Sequence, residues 1–173
     1  MRRIEIPKLQ TERLTLCAPR PSDFEAWAAF RGGPRSTFVG GPFDRVQAFN
    51  QFCAVAGHWD MRGFGRWIVT ETDSDTPVGL VGLFHPEDWP EPELAWTMFD
   101  GSEGKGYALE AARKVKSHAF DDLGWDRLVS FVSVNNTRSI ALAERLGAQH
   151  TTGFEHPTFG ELICFVHQPG GAA

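Results

Sequence analysis

The twenty residues GSEGKGYALEAARKVKSHAF (101–120) constrain the architecture of this chain more than any other stretch. Gly101, Gly104 and Gly106 fall within six positions, and the pattern then turns helical. Ala108, Ala111, Ala112, Val115 and Ala119 recur at helical spacing and form a stripe along one face. A stripe that small packs closely, which suits the surface of a sheet. Just before the glycines, ELAWTMF (93–99) reads as a strand. Strand, bare loop and helix start together make an anion site. The first helical turn leaves N–H groups unpaired, the helix dipole adds positive potential, and glycines let a phosphate approach the backbone.

The glycine order narrows the kind of phosphate. A nucleotide-binding Walker loop needs GxxxxGK followed by Ser or Thr. Here Gly104-Lys105 is followed by Gly106, and the position five before Gly104 is Phe99. The dinucleotide fingerprint needs GxGxxG opening a βαβ unit, whereas this loop reads GxxGxG and follows a hairpin.

The rest of the chain supplies strands and helices around that unit. ERLTLCAP (12–19) alternates as a half-buried strand, and Ser22 with Glu25 forms a predicted capping box for a short helix. The glycine- and proline-rich stretch 31–45 reads as loop, and a second helix is predicted around 46–56. GRWIVTET (65–72) and VGLVGLF (78–84) read as a hairpin. The helix that starts near Tyr107 is predicted to reach Asp122. RLVSFVSV (127–134) reads as a central strand, NTRSIALAERLG (136–147) as a helix, and AQHTTGF with ELICFVHQ (161–168) as two closing strands. The order is β-α-α-β-β-β-α-β-α-β-β, a mixed α/β sheet in one domain spanning 1–173, with its core at about 9–168 and a loose tail at 169–173.

Composition excludes several classes. Seventeen basic against 22 acidic residues give a net charge of −5, which argues against a nucleic-acid binder. No apolar run is long enough to span a membrane, and the start MRRIEIPKL is too charged for a signal peptide. Cys17, Cys53 and Cys164 form no CxxC pair, and the histidines lack metal-ligand spacing, so no metal is expected. Reduced thiols and a cytoplasmic location are the expectation.

ELAWTMFDGSEGKGYALEAARKVKSHAFDDLGWDRL followed by VNNTRSIALAERLGA resembles the GNAT superfamily of acyl-CoA N-acyltransferases, and most closely its ribosomal-protein (Rim-like) branch. LQTERLTLCAPRPSDFEAW and PVGLVGLF extend the resemblance to roughly 9–166. The family loop is usually written (Gln/Arg)xxGx(Gly/Ala). Here Gly101 takes the Gln/Arg position, with Gly104 and Gly106 at the small ones. The resemblance implies a mostly antiparallel mixed sheet of six to seven strands flanked by about four helices. It also implies acetyl-CoA as co-substrate, an amine acceptor (a small molecule or a peptide N-terminus), and a monomer or homodimer. Backbone N–H groups of Glu103, Gly104, Lys105, Gly106, Tyr107 and Ala108 would then hold the coenzyme pyrophosphate, with the Lys105 side chain available to a phosphate. The alternative is an acyl-CoA-binding module without catalysis.

Acetyl transfer to an amine requires a neutral amine, donors for the oxyanion and a proton for the leaving thiolate. By resemblance, a free N–H on Thr97-Met98-Phe99 faces the thioester, with Met98 and Phe99 along the pantetheine; core packing is the alternative for those side chains. Glu93 opens the same strand and is the candidate base, with His85 as rival. Asn136 and Ser139 occupy the family's NxxS positions, Asn136 at the pantetheine amides and Ser139 near the sulfur; the alternative is an N-cap and an ordinary first-turn residue. A tyrosine that many relatives carry four residues after Ser139 is Ala143 here, which leaves Ser139 as the proton donor. Trp96 is expected in the core. The segments 31–60 and 85–92 are expected to shape the acceptor pocket.

Overall fold

The computed structural model describes residues 4–170. Of the tail expected at 169–173, residues 171–173 lie outside the described residues. The strands are β1 (Leu9–Gln10), β2 (Leu14–Cys17), β3 (Arg66–Glu71), β4 (Pro77–Phe84), β5 (Glu93–Met98), β6 (Leu128–Ser133), β7 (Gln149–His156) and β8 (Gly160–His167). They form one sheet in the order β1-β2-β3-β4-β5-β6-β8-β7. Neighbours run antiparallel except β5 and β6, which are parallel. There are thus eight strands where six to seven were expected. The addition is β1, whose two residues are too short to show a period; the Thr11 turn, where Thr11 N donates to Leu14 O, folds it against β2.

Four α-helices accompany the sheet among the described residues: α1 (Phe24–Gly32), α2 (Arg45–Arg62), α3 (Tyr107–Ser117) and α4 (Thr137–Arg145). The capping box expected at Ser22 and Glu25 does not form. Asp23 takes the role instead, its carboxylate accepting from Arg20 N at 2.8 Å, and a 3-10 turn at Pro21–Asp23 leads into α1. A reciprocal box does start α2, where Gln47 N donates to Asp44 at 2.8 Å and Asp44 N to Gln47 at 2.9 Å. This helix runs well past the predicted 46–56 because Ala48, Phe52, Val55 and Trp59 carry one buried stripe along it. The turn between α1 and α2 holds a 3-10 segment at Pro34–Val39, and α3 continues as a π-helical turn at His118–Asp122.

The small stripe of α3 behaves as the sequence demands. Ala111, Ala112, Val115 and Ala119 are fully buried against Leu14, Leu16, Val81, Leu83 and Leu94 of the sheet. Enlarging Ala111 or Ala112 would cost about 1–3 kcal/mol by overpacking. The opposite face is covered by α1 and α2 through Trp27, Phe30, Ala48, Phe52 and Val55. No helix among the described residues is long and apolar enough to cross a membrane.

Candidate active site

Between these two packed faces the sheet opens. β5 and β6 share one register pair, Glu93 with Val129, and part beyond it. The pairing of β5 with β4 decides which backbone groups face the gap. Phe99 N donates to Val78 O at 2.9 Å, so by alternation Phe99, Thr97 and Ala95 turn their backbone groups to β4. Leu94, Trp96 and Met98 turn theirs the other way. Two contacts agree: Ser130 Oγ donates to Leu94 O at 2.5 Å, and Arg35 Nη1 to Met98 O at 3.0 Å. Of the three expected N–H groups, Met98's faces the open edge. Trp96's joins it, a donor the sequence reading missed although period-two alternation was enough to find it. Phe99 is corrected: its N–H is spent on β4, and its ring packs on Trp27 and Phe30. The Met98 side chain also lies in the core, whereas the Thr97 side chain lines the gap.

At one end of the gap stands the glycine loop. Gly101, Gly104 and Gly106 have φ of 81°, 76° and 79°, a region that other residues enter at a cost of about 1–2 kcal/mol. Gly106 caps α3 without a side chain, and Glu110 N is the first helix donor to find a partner, Gly106 O. The N–H groups of Tyr107, Ala108 and Leu109 precede it and lack intrahelical acceptors. Arg13, just before β2, secures the loop, donating to Lys105 O at 3.0 Å and pairing with Glu110 at 2.7 Å. The Tyr107 ring lies under Arg13 and its hydroxyl donates to Glu71, so that side chain points away from the gap. Lys105 is half-exposed, 3.9 Å from Glu71. The Glu103 carboxylate lies 3.5 Å from Arg35. The N–H groups of Glu103 itself, the Arg35 charge and the N–H groups of Gly101 and Ser102 hold it below the usual carboxylate range.

Along the other side of the gap, Asn136 caps α4 by accepting from Ser139 N at 3.2 Å, and both residues line the cavity. Trp96, expected in the core, is half-buried in the cavity wall, and its Nε1 donates to Ser139 Oγ at 3.2 Å. That bond occupies an oxygen lone pair and leaves the serine proton free to be donated. Ala143 is fully buried against Val132, Ala148 and Phe165.

The gap widens into a cavity of about 500 Å³. The expected segments supply Arg31, Phe38, Val39, Phe43, Gln51, His58 and Trp89. Arg66 and Phe84 from β3 and β4, and Thr158 and Phe159 from the β7–β8 turn, complete it and were missed. His156 holds that turn in place, donating through Nε2 to Asp88 at 3.0 Å and accepting at Nδ1 from Thr158 N at 3.0 Å.

Glu93 sits where β5 and β6 meet, 6% exposed, with Oε2 accepting from Phe131 N at 2.9 Å. Burial pushes its carboxyl up to about 7; the Phe131 N–H, the Trp89 indole and the Arg66 charge pull against that rise. Among the described residues it is the sole carboxylate lining the cavity. Neither neighbouring histidine rivals it. His58 donates from Nδ1 to Phe64 O at 2.8 Å, accepts at Nε2 from His85 N at 3.0 Å, and is held neutral by burial. His85 is absent from the cavity wall, and its Nε2 donates to Trp89 O at 3.2 Å.

The family model for the acetyltransferase (GNAT) domain matches residues 13–149. The chain belongs to the GNAT family. It is an N-acetyltransferase by that membership. An acetyltransferase from Agrobacterium tumefaciens is 37% identical in sequence and superposes with a TM-score of 0.87, covering 97% of this chain and 98% of its own. The p20 protein of Bacillus licheniformis, itself an uncharacterized N-acetyltransferase, is 26% identical over 82% of each chain. The ribosomal-protein-S5-alanine acetyltransferase of Vibrio fischeri shares the fold at a TM-score of 0.72 and 12% identity, covering 97% of this chain and all of its own.

Proposed function

We propose that this GNAT enzyme transfers an acetyl group from acetyl-CoA to a primary amine by direct attack within a ternary complex, with Glu93 as the base. The observation that carries the reading is the placement of Glu93: a buried carboxyl poised near neutrality at the apex of the β5–β6 gap. An amine arrives protonated, and a base with a pKa near the working pH is best matched to remove its proton. The main-chain N–H groups of Trp96 and Met98 serve the developing oxyanion. The pyrophosphate rests on residues 103–108, with Asn136 beside the pantetheine, and the Ser139 hydroxyl relays a proton from solvent to the leaving thiolate, regaining its own in the same step.

Fit to the coenzyme follows from length. From Met98 back to Glu93 the strand spans about 17 Å, comparable to the reach of a pantetheine arm laid along it from the loop. Coenzyme A is present in the structure of a spermidine N-acetyltransferase from Vibrio cholerae, which shares the fold at a TM-score of 0.72. Among the described residues no cysteine lines the cavity, and burial pushes the Cys164 thiol up to about 11 and raises that of Cys17, so a covalent acetyl-cysteine route has no nucleophile there.

Calorimetry with acetyl-CoA and thiol release with an amine panel test this. Glu93→Gln is expected to lower kcat about 10²–10⁴-fold while coenzyme affinity stays within twofold. The wild-type rate rises with pH through about 7, as the carboxyl ionises, and the variant loses that limb. Unchanged turnover in the variant removes Glu93 as base; no coenzyme binding sinks the whole reading.

A further inference from the structure

The wide end of the cavity holds two guanidinium groups that no carboxylate contacts directly. Arg13, Arg20, Arg35, Arg45, Arg62 and Arg127, all partly exposed, each pair with a carboxylate. Arg31 and Arg66 line the cavity, and among the described residues neither pairs with one.

Aromatic faces hold them instead. The Arg31 guanidinium lies 5.0 Å from the Trp27 ring and 4.3 Å from Phe43, and that of Arg66 lies 4.0 Å from Phe84. A guanidinium gripped by its faces keeps its N–H edge for a planar anion. Arg31 spends Nε on Gln51 at 2.7 Å and Nη2 on Val39 O at 3.3 Å, which fixes the side chain and leaves Nη1. It is 8% exposed. Arg66 feels the charges of both Glu93 and Arg31. Trp89 Nε1, buried in the same wall, acts on the Glu93 carboxyl without closing a hydrogen bond to it. Like charges brought together in an aromatic cavity are costly unless an anion joins them.

We propose that the acceptor is a small amine bearing a neighbouring carboxylate and an apolar side chain, with the carboxylate held by the N–H edges of Arg31 and Arg66 and the amine turned to Glu93. This rests on the transferase reading above. Glu93, Arg31 and Arg66 line one cavity of about 500 Å³, so a single small molecule can turn its amine to the carboxyl and its carboxylate to the guanidinium groups, as an α-amino acid does. Phe43, Phe131 and Phe159 in the walls take the apolar body. A polyamine brings only positive charge to a cavity lined by two guanidinium groups and one carboxyl and is disfavoured.

The test compares L-phenylalanine and L-leucine with phenethylamine, isoamylamine and spermidine as acceptors, read by thiol release. A second arm needs no turnover: calorimetric binding of N-acetyl-L-phenylalanine against N-acetylphenethylamine. The carboxylated member is expected to win by about 30-fold in kcat/KM and in affinity, the size of a charge-assisted pair of hydrogen bonds. Arg31→Gln erases that preference through KM, with kcat within threefold, and Arg31→Lys restores part of it. Equal or better use of the decarboxylated amines or spermidine overturns the proposal, as does equal binding in the second arm. Failure of acetyl-CoA to bind would instead strike the transferase reading, and the binding arm would still decide the carboxylate question. If Arg31→Gln does not fold, the wild-type panel and Arg31→Lys carry the test.

Discussion

The two ends of the β5–β6 gap are built on different principles. At the glycine end the donors are main-chain groups, gathered within residues 100–109 and held by φ angles that glycine adopts freely. At the other end, where the strands meet at Glu93 and the wide part of the cavity lies, the polar groups are side chains, delivered from α1 (Arg31), α2 (Gln51), β3 (Arg66), the loop before β5 (Trp89) and β5 itself (Glu93). A main-chain site costs little beyond ordering a loop and suits a ligand part that never varies. A side-chain site must bury charge, and each buried charge is a choice about one acceptor. The contrast predicts where stability is sacrificed and where affinity resides.

The largest effect should come from the buried charge. The Glu93 carboxyl titrates near 7 in the fold and near 4.5 when exposed. A raised carboxyl pKa means the native state holds its proton longer than the unfolded state does. Stability from this group is therefore full below about 4.5, falls as pH rises to about 7, and stays reduced above that, by on the order of 3 kcal/mol. Glu93→Gln, which keeps an acceptor for Phe131 N, should melt several degrees above wild type at pH 8 and match it near pH 4.5. Equal melting at pH 8 would mean the wide end stores no such cost, and the contrast would fail there.

Next in size is the loop. Gly106→Val forces a β-branched residue to φ 79° at the helix cap and places methyl groups where phosphate oxygens approach. Acetyl-CoA affinity should weaken about 30-fold by calorimetry, while the KM of the amine shifts less than twofold. A matching rise in the amine KM would show the two ends to be one coupled unit.

The same contrast explains what can be read from the sequence. The glycine loop is legible because its donors are consecutive in the chain and their residue type is dictated by backbone geometry. The α3 stripe is legible for the same local reason. Glu93 is reached through resemblance, and its pKa depends on Phe131 and Arg66, far away in sequence. Arg31 reads locally as a cation in the last turn of α1, and Arg66 as the first residue of a strand; only the fold reveals that both face one cavity without an ion-pair contact. The box at Ser22 fails because Asp23, one residue later, offers a carboxylate that also pairs with Arg20 at 2.9 Å. Phe99 is misplaced by a sequence reading because a strand's register, not its composition, decides which N–H is free.

Between the two ends stands Ser139, and its effect should be smaller. Trp96 Nε1 orients its hydroxyl. Ser139→Ala should lower kcat about tenfold, since a water can replace a hydroxyl as proton donor, with coenzyme affinity unchanged. Trp96→Phe should share part of that loss, and the double variant should lose less than the product of the two, as residues acting as a unit do.

The smallest effect probes whether the glycine end is purely main chain. The Glu103 carboxylate draws on the N–H groups of its own loop, and its Oε2 is buried without a hydrogen-bond partner among the described residues. The Glu103 N–H is also one of the donors proposed for the pyrophosphate, so the side chain and the coenzyme compete for it, and the Glu103 charge occupies Arg35, which also meets Asp100 at 2.8 Å. Glu103→Gln removes the competing charge and should tighten acetyl-CoA about threefold at low salt, with the gain shrinking as salt screens the exposed part of the interaction. Amine KM should not move. Weaker coenzyme binding in this variant would mean that the carboxylate organises the loop for its ligand, and the glycine end would then depend on a side chain as the wide end does.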